Sequence, residues 1–143
     1  RSFSELVKAP LYHTCIFTNS AGLESIEYLL SELPELHVTV LAPTDFAESV
    51  VDMQRFLNLS IYPNFSPFNK KEILDKMDFY LDINHGGVVG TIIEEIHDKN
   101  KPIFAFDTTS HDSSGRSQIF STAEPEKMVE AIRKFLGVKL NGK

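Results

Sequence analysis

Along the chain, short apolar runs of strand character alternate with stretches whose apolar residues return at helical spacing. His13-Thr-Cys-Ile-Phe-Thr-Asn19 predicts a first strand, and Leu23, Ile26, Leu29, Leu30 and Leu33 mark one face of a helix that Pro34 stops. His37 to Ala42 predicts the second strand. Thr44 is placed to cap a helix from Asp45 with Phe46, Val50, Met53 and Leu57 inward, and Leu59-Ser-Ile-Tyr62 follows as a short third strand. After a loop bracketed by Pro63 and Pro67, Asn69-Lys-Lys-Glu72 has the spacing of a capping box and opens a helix with Ile73, Leu74 and Met77 inward. Asp78 to Ile83 predicts strand four. Val88, Val89, Ile92, Ile93 and Ile96 predict a helix directly after a glycine pair, Lys101 to Phe106 a fifth strand, and Ile119-Phe120 a short sixth. Pro125 opens a last amphipathic helix carrying Met128, Val129, Ile132, Phe135 and Leu136, which Gly137 ends.

Strand and helix in this alternation predict an α/β fold. Parallel neighbours need a crossover and crossovers take one hand, so the expected architecture is a Rossmann-like, doubly wound parallel sheet of about six strands with helices on both faces. A chain of 143 residues is the size of one domain over 1–143, able to bury roughly 70% of its unfolded surface without disulfides. It opens on Arg1 rather than Met, from which we expect a piece of a longer protein.

Composition narrows the function classes. With 24% charged residues and a net charge of -6, the chain does not carry the basic balance of a nucleic-acid or anionic-membrane binder. Cys15 is the single cysteine, which excludes an intrachain disulfide and fits a reducing compartment, so a cytoplasmic location is expected. No apolar run approaches the roughly 18 residues of a membrane span, and Arg1 to Glu5 lack the apolar stretch of a signal peptide.

In an open parallel sheet the loops at the carboxyl ends of the strands surround the ligand crevice, so candidate chemistry belongs there. Gly86-Gly87, between a predicted strand and a predicted helix, would let a diphosphate approach backbone N–H groups at the positive helix end. The plain reading is a tight turn, and without GxGxxG, GxxxxGK[ST] or a nearby basic residue the motif alone does not separate the two. His85 would donate to a phosphate or sugar hydroxyl, or serve as a structural hydrogen-bonder. Of the adjacent pair, Glu95 flanks the apolar stripe and is the candidate for a ribose, whereas Glu94 faces out. Thr108, Thr109 and His111 offer a lining for phosphate or sugar in what is also an ordinary polar loop. Tyr62 and Asn64 could present a ring and an amide to a base, although Pro63 is first of all a turn signal. Asn19 closes the set, in the loop after strand one. Histidine and acidic spacings predict no bound metal, and no G-x-S-x-G elbow is present.

At these residues the sequence resembles the C-terminal, nucleotide-sugar-binding half of a GT-B glycosyltransferase. In retaining members a glutamate stands seven residues before the proline that precedes strand five, and Glu95 and Pro102 match that spacing. More narrowly, "FTNS", "IYPNF", "YLDINHGG" and "IFAFDTTSH" look like the glycosyltransferase pair of the streptococcal accessory secretion system, its partner subunit in particular, from strand one to about Phe120. The resemblance implies the donor-binding domain of an enzyme that moves a sugar from a UDP-sugar to a protein or glycan acceptor. It also implies an N-terminal domain in the same chain, no cofactor beyond the donor substrate, and a companion subunit as a further partner. Under it Gly86 and Gly87 hold diphosphate, Glu95 ribose, Tyr62 and Asn64 the base, and Thr108, Thr109 and His111 phosphate or donor sugar. One position departs: the first glutamate of the retaining pattern, eight residues before the second, is Gly87 here. The other reading is therefore a non-catalytic, glycosyltransferase-like subunit that binds an acceptor or a catalytic partner. A flavodoxin-like or receiver-type module ranks behind both, because Thr18-Asn19-Ser20 supplies no acidic cluster.

Overall fold

The computed structural model describes residues 12–141; the first residues, with the expected lack of a signal segment, lie outside them. Six strands run β1 (Tyr12–Phe17), β2 (Leu36–Ala42), β3 (Leu59–Pro63), β4 (Phe79–Asp82), β5 (Ile103–Phe106) and β6 (Gln118–Phe120). Between them lie α1 (Ile26–Glu32), α2 (Glu48–Val51) with a 3-10 turn over Asp52–Arg55, α3 (Pro67–Lys76) and α4 (Ile92–Asp98), and α5 (Pro125–Asn141) follows β6. The sheet order is β3-β2-β1-β4-β5-β6 and every pairing is parallel. The chain winds outward from β1 to β3, returns to β4 beside β1, and winds the other way to β6. This is the doubly wound, Rossmann-like α/β architecture expected from the alternation.

Period-two alternation in the strands divides the core between the two sheet faces. Ile16, Phe79, Leu81, Phe104 and Phe106 pack with Leu29, Leu30, Met128 and Ile132 of α1 and α5. Cys15, Phe17, Tyr80 and Ile103 turn the other way, onto Ile73 and Leu74 of α3 and Ile92, Ile93 and Ile96 of α4. On the first face Phe79, Phe104 and Phe135 meet with ring centroids 5.1–6.0 Å apart, near edge-to-face geometry. Burial drives the Cys15 thiol far above its ordinary range, so it stays a neutral packing group.

Four boundaries differ from the sequence reading, each for a local reason. Thr44 does not cap a helix; its hydroxyl reaches only the Asp45 carbonyl, α2 starts at Glu48, and the chain tightens into the 3-10 turn, which leaves Leu57 95% exposed rather than inward. The box that opens α3 sits three residues earlier than expected. Ser66 Oγ accepts from Asn69 N–H at 3.0 Å, Asn69 Oδ1 accepts from Ser66 N–H at 3.1 Å, and Pro67 takes the first helical position, where no N–H is needed. Gly137 lies inside α5 instead of ending it, a placement that costs only about 1 kcal/mol. The fourth difference falls at the glycine pair: α4 begins at Ile92, not after Gly87.

Candidate functional site

The crevice of a doubly wound sheet opens where the winding reverses, here between β1 and β4. These strands pair only at Thr14↔Phe79 and Cys15↔Tyr80. Beyond that point the Phe17 N–H donates to the Tyr80 hydroxyl at 2.9 Å, and the two following loops are laced together. Leu23 and Asn84 form an antiparallel bridge, Glu24 N–H donates to the Ile83 carbonyl, and His85 N–H donates to the Gly22 carbonyl, both at 2.9 Å. Asn84, 2% exposed, is the knot. Its Oδ1 accepts from Thr18 Oγ1 at 2.6 Å and from Gly86 N–H at 2.9 Å, while its Nδ2 donates to the Gly87 carbonyl at 3.1 Å. A Cβ on Gly86 would run into Asn19 Oδ1 and come within 2.8 Å of Ser20 Cβ. That glycine is required by close approach of the protein's own loop, and its N–H is spent internally.

His111 seals the same corner from the other side. Its Nδ1 lies 2.6 Å from Asp82 Oδ1, its Nε2 lies 2.7 Å from the Gly86 carbonyl, and its backbone N–H donates to Asp82 Oδ2 at 2.7 Å. A carbonyl only accepts, so Nε2 must carry a proton, and the short bond to Asp82 favours a second one on the ring or the carboxyl. Burial raises the Asp82 carboxyl above its ordinary range although the His111 bonds pull it down. Burial alone would lower His111, but the Asp82 and Gly86 bonds outweigh it and the imidazole is raised. Thr109, 3% exposed, completes the lock by donating from Oγ1 to the Asp82 carbonyl at 2.7 Å. Further along the same loop Asp112 takes Ser117 Oγ at 2.6 Å, the Ser114 N–H at 2.9 Å and His97 Nε2 at 3.0 Å. Burial opposes its ionisation, yet these bonds hold the carboxyl well below its usual range.

The expected diphosphate cradle needs correction. Five residues separate Gly86 from the start of α4, because Gly90 takes a left-handed turn (φ 57°) and Thr91 stands at the cap without a capping side-chain bond. Val88 is exposed and not part of a helical stripe. Gly86 and Gly87 therefore do not face a ligand from a helix N-terminus. Glu95 is half-buried, as expected, but its Oε2 meets Lys70 Nζ of α3 and Thr91 Oγ1, each at 2.9 Å. It lines a groove between α3 and α4, whereas the exposed Glu94 lines a separate hollow of about 210 Å³ with Gly90, His97, His111 and Arg116.

The remaining candidates scatter. His85 is exposed and pairs with Glu24 at 2.8 Å. Tyr62 packs on the α3–α4 face of the sheet. Asn64, at φ 52°, donates from Nδ2 to Asp45 Oδ1 at 2.7 Å, and Thr108 shares a 2.7 Å bond with Thr122. Asn19 is exposed and lines a hollow on the β2 side. The structure thus brings Asn19, Gly86 and His111 together and leaves Tyr62, Asn64, Thr108 and Glu95 apart. Asp82 and Asn84, which organise this corner, were not among the candidates; the signal was a carboxylate within an otherwise apolar strand and an amide just beyond it, costly placements when buried unless a partner waits. Among the described residues no group of three or more His, Cys, Asp or Glu is arranged to hold a metal, and no helix is long and apolar enough to cross a membrane.

A family model described as the GftB/GlyA-F C-terminal domain matches residues 14–141. Glycosyltransferase GlyB of Streptococcus pneumoniae is 54% identical over 137 residues, covering 96% of this chain and 34% of that protein. The crystal structure of glycosyltransferase GlyE from the same species superposes with a TM-score of 0.82 at 34% identity, over 90% of this chain and 33% of GlyE. A Streptococcus agalactiae protein, GtfB, is 31% identical over 85% of this chain and 28% of its own length; it is named as the stabilizing protein of a UDP-N-acetylglucosamine–peptide N-acetylglucosaminyltransferase. The chain spans about a third of the length of these relatives.

Proposed function

Because the chain belongs to the GftB/GlyA-F C-terminal domain family, we propose that it is the non-catalytic recognition domain of a glycosyltransferase, serving the acceptor or a catalytic companion rather than the nucleotide-sugar donor. One observation carries this: the switch-point crevice is filled by the protein itself. Asn84 consumes the Gly86 N–H, His111 consumes the Gly86 carbonyl, and Asn19 and Ser20 sit where a diphosphate would have to pass. A ligand entering there would have to break these partly buried bonds and leave their partners unpaired, at about 1–3 kcal/mol for each group orphaned. The absence of a first glutamate at Gly87 agrees with this, as does the stabilizing role named for the GtfB relative.

A second reading, donor binding, draws on the hollow beside α4, where Val88 and Gly90, just after the uncrowded Gly87 in sequence, share the lining with Arg116 and could receive a UDP-sugar. Titration of the full chain with UDP and UDP-sugars, followed by calorimetry and amide shifts, decides between them. No saturable binding at millimolar nucleotide is expected. Saturable binding that perturbs Gly87, Gly90 and Arg116 would overturn the recognition reading and install the donor one, and loss of that binding in Glu95→Ala would restore the ribose role.

A further inference from the structure

Resting on the recognition reading, we propose that the hollow between the loops after β1 and β2 is a subsite for one neutral pyranose unit of the acceptor. The hollow measures about 200 Å³, the scale of a single sugar ring rather than of a nucleotide, and is lined by Asn19, Ser20, Thr44, Asp45 and Phe46 among others. It lies on the β2 side of the sealed corner and shares only the β1 loop with it.

The lining chemistry selects the ligand. No Lys, Arg or His borders the hollow, and the one charged group is the Asp45 carboxylate, so phosphates and other anions are disfavoured. A sugar hydroxyl both donates and accepts, which suits a lining that carries a carboxylate, an amide and hydroxyls. Asp45 is positioned for this: Asn64 Nδ2 holds its Oδ1 at 2.7 Å, and the Asn64 N–H donates to the Thr44 carbonyl at 3.3 Å, while Oδ2 is unclaimed among the described residues. The Asn19 amide makes no side-chain hydrogen bond among them either; its Oδ1 lies against Gly86, which leaves Nδ2 as the atom it can offer. Phe46 is half-buried against the core and, with Val50, gives an apolar wall for the C–H face of a pyranose. An unspent carboxylate oxygen beside an apolar wall, in a space of ring size, is the pattern of sites that fix the orientation of a small polyhydroxylated ligand.

The test is an amide-shift titration of the isotopically labelled full chain with the methyl glycosides of glucose, galactose and N-acetylglucosamine. Saturable shifts at Asn19, Thr44, Asp45 and Phe46 are expected for at least one of them. Asp45→Asn should weaken that binding at least ten-fold with an unchanged melting temperature, and Asn19→Ala should weaken it less. The proposal is overturned if no glycoside produces saturable shifts at the hollow, if Asp45→Asn binds as well as the parent, or if an unglycosylated peptide saturates the hollow while the glycosides do not. UDP added to the same samples keeps the two questions separate. Nucleotide shifts at Gly87 and Arg116 would remove the recognition reading, whereas glycoside shifts at Asp45 answer for the sugar subsite.

Discussion

The loop after β1 faces two neighbours and treats them differently. Toward β4 it is locked: Thr18 gives its hydroxyl to Asn84, and Asn19 and Ser20 press on Gly86 so closely that no side chain fits. Toward β2 it stands back and leaves a ring-sized hollow with Asn19 and Asp45 still holding unspent polar atoms. The fold's usual ligand position is thus the better satisfied of the two, and the Asp45 oxygen left unpaired among the described residues lies one strand over. A site in such a sheet has to be located from which polar groups are already consumed, because strand order alone points to the crevice that is filled.

The contrast can be broken hardest at Asp82. Removing its carboxylate in Asp82→Ala leaves His111 and the His111 N–H without their buried partner, and chemical denaturation should register a loss of about 3–5 kcal/mol. Gly86→Ala comes next: the new methyl must displace the β1 loop, at roughly 1–3 kcal/mol. Gly87→Ala, its neighbour with nothing within 4 Å of a built Cβ, should melt within a degree or two of the parent, and equal losses at the two positions would refute the lock.

Acidity probes the lock more gently. The folded Asp82–His111 pair holds its protons more tightly than the unfolded chain does, since both groups are raised above their ordinary values of 3.8 and 6.5. The His111 contribution is complete below pH 6.5 and is lost as pH climbs through the raised value; that of Asp82 declines in the same direction from 3.8 upward. Melting temperature should therefore fall as pH is raised from 6.5, and His111→Asn should flatten that slope. Asp112 works oppositely: its carboxyl is lowered, so its contribution is present above 3.8 and drains away as pH falls further. Small as well should be the effect of Glu95→Ala, which removes a one-third exposed pair with Lys70 and is expected to cost under about 1 kcal/mol.

Much of the fold was legible because burial on both sheet faces forces near-continuous apolar runs in the central strands β1, β2, β4 and β5. The partly exposed edge strands β3 and β6 showed as short runs beside turn signals. The boundaries that went astray lay where a local bond outranked periodicity. Ser66 rather than Asn69 opened α3, because Pro67 suits the first helical position, and Val88 and Val89 fit a helical stripe on paper but precede a left-handed Gly90. The candidate site was harder to read. Gly86 was singled out for the approach of a ligand, whereas the group that comes close to it here is Asn19 of the same chain, 67 positions away in sequence. No local pattern encodes such a meeting. Glu95 matched a spacing, but its partner is set by how α3 lies beside α4, and that depends on packing across the whole face.

The two margins of the sheet have a consequence for a chain of this length. β6 contributes only Gln118–Phe120, and β3 ends on Pro63, which has no N–H to offer. Short or proline-ended borders give an approaching strand little to hydrogen-bond to. A unit built this way can be carried beside other modules at high local concentration without zipping onto them edge to edge, which leaves its contacts to side chains and loops.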